Sequence, residues 1–200
     1  MAIKVFITHA SEDRALVKAF VRALEESIAI TADEIRCTSL PGYRLRTGNR
    51  VSDAVRAEIA GAAVVIGVLT PWSLEAGWIL FELGCGWGVG RKLKMLTTDV
   101  NLDSLPGALQ EFDGTDATSA EELQLLFGEL ASELGCAPHA TPASGEAIDD
   151  LVEEANGYDD DNPFDDMEDF DEDEDFDDEF DEEDELPPPP KRPGPGHRKR

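Results

Sequence analysis

Ala62-Ala63-Val64-Val65-Ile66-Gly67-Val68-Leu69 carries no polar side chain and no alternation of apolar with polar positions. A strand with one face in water alternates; a run of this kind is covered on both faces, as a central strand of a parallel sheet is. Working outward, Ile3-Lys4-Val5-Phe6-Ile7-Thr8 is a second β-branched and aromatic run, and Glu34-Ile35-Arg36-Cys37-Thr38 and Leu93-Lys94-Met95-Leu96-Thr97 are a third and fourth. Helical periodicity fills the gaps. Ser11 stands where an N-cap belongs, with Val17, Phe20, Val21, Leu24 and Ile28 following at helical spacing. Val51, Val55 and Ile59 mark a second helix opened by Asn49 or Ser52 and ended by Gly61, a residue suited to the left-handed cap. A third helix runs over about 75–88, and a last one over 119–134 with Leu123, Leu126, Phe127 and Leu130 inward. An edge strand is expected near Phe112. Strands alternating with helices imply right-handed crossovers, a parallel sheet and helices on both faces. The ligand crevice of such a sheet lies beyond the carboxyl ends of its strands, where the loops 9–13, 39–48 and 70–77 gather.

Charge divides the chain. It has 200 residues, with 44 Asp and Glu against 17 Lys and Arg, a net charge of −27. Twenty of the acids lie between Tyr158 and Leu186, where there is no Lys or Arg, and five basic residues fall in the last ten. Residues 1–157 hold the remaining 24 acids and 12 bases, an ordinary acidic balance. The reading is therefore an α/β domain over 1–136, a linker of small residues, Pro and acids over 137–157, a disordered acidic low-complexity tail over 158–186, and a Pro-rich basic end over 187–200. No apolar run approaches the roughly 20 residues of a membrane helix, and the N-terminus lacks the features of a signal peptide. Three widely spaced cysteines and three histidines support neither a disulfide framework nor a zinc site, so the cysteines read as small hydrophobes in a reducing, cytoplasmic setting. The folded part lacks the clustered bases that nucleic-acid binding requires.

Two features invite chemistry. Gly84, Gly86, Gly88 and Gly90 imitate a dinucleotide fingerprint, but they alternate strictly and end a helix rather than open one, so they read as close packing and termination. Glu82 lies in Trp78-Ile79-Leu80-Phe81-Glu82-Leu83-Gly84-Cys85, where a carboxylate among apolar neighbours is paired, exposed to a cleft, or functional. Pairing with a base such as Arg44 or Arg46 is the plainer alternative.

The order of blocks carries a resemblance. Val5-Phe6-Ile7-Thr8-His9-Ala10-Ser11-Glu12-Asp13, Leu40-Pro41-Gly42-Tyr43-Arg44, and Leu69-Thr70-Pro71-Trp72-Ser73 followed by Trp78 and Glu82 resemble, in that order, the boxes of the Toll/interleukin receptor (TIR) domain family in its bacterial form. The resemblance implies a flavodoxin-like parallel sheet flanked by helices. Thr8-His9, in place of the frequent Ser-Tyr, and the missing Asp before Pro41 depart from the pattern. In catalytic members the Glu of this helix breaks the nicotinamide–ribose bond of NAD⁺, and the resemblance carries that role to Glu82. It places His9, Ala10, Ser11, Arg44 and Trp78 around the nucleotide, with NAD⁺ as substrate and no metal or other cofactor. The implied function is an NAD⁺ glycohydrolase, releasing nicotinamide with ADP-ribose or a cyclic relative, as a bacterial immune or stress effector that self-associates through this domain. The alternatives are a non-catalytic TIR–TIR signalling module and a deoxyribosyltransferase-like enzyme. The tail reads either as a solubiliser or as a docking segment for a partner, sensor or the domain itself; in the last case a cut after Leu134 raises basal activity.

Overall fold

The computed structural model describes residues 3–37, 39–43, 51–100, 105, 107, 109–112 and 114–158. Five strands, β1 (Val5–Thr8), β2 (Ile35–Cys37), β3 (Val64–Leu69), β4 (Lys92–Thr97) and β5 (Gly114–Asp116), form one sheet in the order β2-β1-β3-β4-β5. All four pairings are parallel. This is the doubly wound flavodoxin-like order, whose switch point lies between β1 and β3. Every residue of β3 is buried, as a strand covered on both faces requires.

The two faces have separate cores. Val5, Ile7, Val64, Ile66 and Val68 face α1 (Arg14–Ser27), α5 (Ala120–Leu134) and α6 (Pro142–Asn156), where the rings of Phe20 and Phe127 stack at 5.9 Å. Phe6, Val65, Leu69 and Met95 face α2 (Val51–Gly61) and α4 (Gly77–Gly88), which follows the short α3 (Pro71–Glu75). On this second face α4 lies close to the sheet. A Cβ on Gly67 would meet Leu83 at 3.0 Å, and one on Gly86 would meet Leu93 and Val65 at 3.1 Å. Gly86 thus serves packing, as expected for the alternating glycines, while Gly90 takes the left-handed φ of +72° just beyond the helix.

Several boundaries differ from expectation. Ser11 is an exposed turn residue; α1 starts at Arg14 with Asp13 at its N-cap position, because the Asp13 side chain turns inward to other partners. Gly61 is the last residue of α2 and not a left-handed cap, a role that Gly135 fills after α5. The edge strand falls at Gly114–Asp116, just beyond Phe112. Residues 70–77 hold α3, capped by Thr70, where a loop was expected.

The largest correction concerns residues 137–157. They are not a linker. Pro142–Asn156 is a 15-residue helix with Thr141 at its N-cap and Pro142 in the first turn, and it buries Ala147, Ile148, Leu151 and Ala155. That stripe covers α1 antiparallel to it: Arg22 pairs with Asp150 near the middle, and Ser27 accepts a 2.7 Å bond from the His139 amide at the far end. Five acids on its outer face conceal the apolar period from a composition reading. Residues 44–50, including Arg44 and Arg46, and the tail beyond Tyr158 lie outside the described residues.

Because α6 is part of the core, Leu151→Ala is expected to cost about 2–5 kcal/mol by urea denaturation, Leu151 being wholly buried. A chain cut after Leu134 is expected to lose its cooperative transition or shift it well down, while a cut after Tyr158 leaves the midpoint within about 2 °C.

Candidate functional site

The site assembles where β1, β2 and β3 end. On α4 the buried positions are Ile79, Glu82, Leu83 and Gly86, one stripe at helical spacing that faces the sheet. Glu82 therefore belongs to the core-facing stripe. It is 2% exposed. Opposite it stands Thr8, which ends β1 and, two residues after Phe6, projects from the same face. The indole N–H of Trp78, one turn before, donates to Glu82 Oε1 at 2.7 Å, and Oε2 accepts no bond among the described residues. The Thr8 hydroxyl also faces the carboxyl, but short of hydrogen-bonding geometry, so its oxygen is buried and without a partner.

No lysine or arginine among the described residues forms an ion pair with Glu82. Burial pushes the Glu82 pKa above the ordinary carboxylate value, and the Thr8 hydroxyl and Trp78 N–H pull it part of the way back. Among the described residues Glu82 is thus a buried carboxyl without a cationic partner; Arg44 and Arg46 lie outside them. Trp78 itself is 48% exposed and meets Phe81 at 5.3 Å, so it lines the rim and is not core.

A second group lies across the edge. His9 Nε2 is 2.6 Å from Ser39 Oγ, and His9 Nδ1 is 3.9 Å from Cys37 Sγ. Burial drives the imidazole pKa down to about 4, so His9 is neutral near pH 7. Burial likewise raises the Cys37 thiol, with a smaller push from the negative charge of Glu82. Ser39 begins the Pro-Gly turn. Tyr43 N–H donates to Leu40 O at 3.2 Å across Pro41 and Gly42, whose φ is +93°, a turn with Pro first and a left-handed glycine second. Tyr43 then pins the turn to α1 through its hydroxyl on Glu25, at 3.0 Å.

The structure thus brings His9, Trp78 and Glu82 to one edge, with the Ala10 amide behind them bonded to Asp13. Ser11 is exposed on the turn, and Arg44 lies outside the described residues. Sequence reasoning passed over Thr8, Cys37, Ser39 and Thr70. The pattern offered one usable signal: Cys37 ends the strand beside β1 and Ser39 follows it, so both fall near His9.

A family model described as "TIR domain" matches residues 5–127, and the chain belongs to the TIR domain family. Among solved structures, it is similar to the TIR domains in the activated Roq1 resistosome directly recognising the pathogen effector XopQ, with 15% identity, 78% of this chain and 84% of that chain covered, and a TM-score of 0.41. Comparison with curated proteins returns no match. No helix among the described residues is long and apolar enough to cross a membrane.

Both shifted groups make stability predictions. Glu82 has its folded pKa raised, so its charged form is a burden above that pKa. Glu82→Gln is expected to raise the urea midpoint at pH 7.5, with the gain fading as pH falls through the raised pKa. His9 is depressed, so the stability it contributes is present above about 6.5 and lost as pH falls toward about 4. Urea midpoints measured at intervals between those pH values are expected to fall more steeply in the parent than in His9→Gln.

Proposed function

We propose that this TIR domain cleaves the nicotinamide–ribose bond of NAD⁺, with Glu82 as the catalytic carboxylate. One observation carries the reading: Glu82 is buried on the sheet-facing stripe of α4, at the carboxyl edge of the sheet, with a single hydrogen bond and no cation among the described residues. A side chain kept there for stability alone would be paired or replaced by a hydrocarbon.

The chemistry suits the arrangement. Nicotinamide in NAD⁺ is a cationic leaving group that departs neutral, taking the bond's electron pair, and leaves oxocarbenium character on the ribose. An anion at that carbon stabilises the developing charge more in the transition state than in the ground state. The substrate thereby supplies a positive partner that no described residue offers to Glu82. Water then adds at the anomeric carbon and gives up a proton, so that NAD⁺ and water become nicotinamide, ADP-ribose and H⁺. If an adenine nitrogen of the same molecule attacks instead, the product is cyclic. Because nicotinamide needs no protonation, a second carboxylic acid is not demanded, unlike in ordinary glycoside hydrolysis. His9, neutral and held on Ser39, adds no positive charge at the edge where the ribosyl cation develops. Trp78 orients one oxygen of Glu82, and the other accepts no bond among the described residues.

A non-catalytic module signalling by contact between domains is the second reading. It is favoured by the aromatic side chains that α4 presents to solvent, Phe81 at 53% and Trp87 at 68% exposed. Self-association through the domain fits either reading, and a bacterial defence or stress role, with a partner or sensor engaging the acidic tail, is part of the first.

Incubation of concentrated protein with NAD⁺, following free nicotinamide, tests the proposal. Parent protein is expected to release nicotinamide, and Glu82→Gln to lose about 100-fold or more while melting no lower than the parent. The rate is expected to rise with pH through the raised Glu82 pKa, since the charged form is required. A folded Gln variant with the parent's turnover would refute the role.

A further inference from the structure

The Asp13 carboxylate is fully buried where β1 passes into α1, and no lysine or arginine among the described residues pairs with it. Hydrogen bonds take the place of a cation. The Ala10 amide donates to Oδ2 at 3.1 Å, the Thr70 hydroxyl donates to Oδ1 at 2.9 Å, and the phenol of Tyr158 also donates to Oδ1. The first two donors come from loops within the family-matched segment, residues 5–127. The third comes from 31 residues beyond its end.

Tyr158 does not reach Asp13 by accident of a loose end. It follows directly on α6, which is fixed along α1 by its buried stripe and tied to the end of β4 where the Thr98 hydroxyl donates to Ala155 O at 3.1 Å. Its ring packs against the α1-side core. From Asp13 the chain of bonds continues toward the site. Thr70 Oγ1, which donates to Asp13, accepts from the Ser73 amide at 3.1 Å, and Ser73 Oγ accepts from the Thr70 amide at 2.7 Å. That reciprocal pair opens α3, which passes through Ala76 alone into α4, the helix of Trp78 and Glu82. On its other side, Asp13 holds the Ala10 amide next to His9.

We propose that Tyr158 is a positioning residue for the Glu82 site: by completing the hydrogen bonds of Asp13 it locks the 9–13 loop and the start of α3 together, so that the working unit of this chain extends to residue 158. Asp13 is the hub of the latch and α6 is the arm that brings the third donor. The catalytic part of this inference rests on the reading of Glu82 given above; the mechanical part does not.

The test uses the full chain with Tyr158→Phe, which keeps the ring and removes only the hydroxyl, beside Asp13→Asn as a second break in the same latch. Amide hydrogen exchange and NAD⁺ cleavage are both measured. Tyr158→Phe is expected to speed exchange about tenfold over 9–13 and 70–76, with α5 unchanged, because one of the donors to a buried carboxylate is lost. It is expected to lower kcat severalfold and to raise KM, since the start of α3 that leads to Glu82 and the 9–13 loop that carries His9 are both loosened while α5 is not. Asp13→Asn is expected to loosen the same two segments. Unchanged exchange in both loops in Tyr158→Phe overturns the latch, as does loosening spread evenly over the sheet and α5, which is the mark of general destabilisation. Loosened loops in Tyr158→Phe, beside a parent that never cleaves NAD⁺, uphold the latch and remove the catalytic reading. Unchanged loops with unchanged kcat in an active parent remove the latch and leave that reading standing.

Discussion

A strand with no exposed residue must be covered by helices on both sides, and β3 imposes that constraint on the whole domain. The two coverings differ in closeness. On one side three helices are stacked through large side chains, Phe20 against Phe127 among them. On the other, α4 lies against the sheet over Gly67 and Gly86, where an added Cβ would press on Leu83, Leu93 and Val65 at 3.0–3.1 Å. The helix that carries the candidate carboxylate is therefore seated directly on the central strand. Its stripe of Ile79, Glu82, Leu83 and Gly86 runs from the crevice end of the sheet inward, and the single polar member falls near the crevice. The position of Glu82 is thus a consequence of packing rather than of a mobile loop.

Two buried carboxylates then divide the labour. Burial raises the pKa of both. Asp13 receives three donors from three separate segments, and its negative charge is spent on holding those segments together. Glu82 receives one donor from its own helix. A structural carboxylate is satisfied by the protein, whereas one awaiting a ligand is left short.

The parts of this architecture that a sequence declares are those fixed by local pattern. The unbroken apolar run at 64–69, the α1 stripe of Val17, Phe20, Val21 and Leu24, and a lone acid among the apolar residues of α4 each follow from short-range spacing, and each stands where that spacing puts it. What stayed hidden depends on partners distant in the chain. Asp13 reads as a first-turn acid suited to a helix dipole, but its actual role is set by Thr70, 57 residues on, and Tyr158, 145 residues on. Helix α6 reads as a linker because Glu146, Asp149, Asp150, Glu153 and Glu154 dominate its composition, although Ile148 and Leu151 keep a helical period beneath them. The family match ends at residue 127 and so passes over the same helix.

The pairing of α1 with α6 also sets an order of events during synthesis. The apolar stripe of α1 is complete once Ser27 has been made, but its antiparallel partner ends only at Asn156. At roughly 5–20 residues per second a ribosome needs about 6 to 26 seconds to cover that interval. Throughout it, part of the α1 face has no lasting cover in its own chain. The α1 side of the sheet is therefore closed only once α6 has been made.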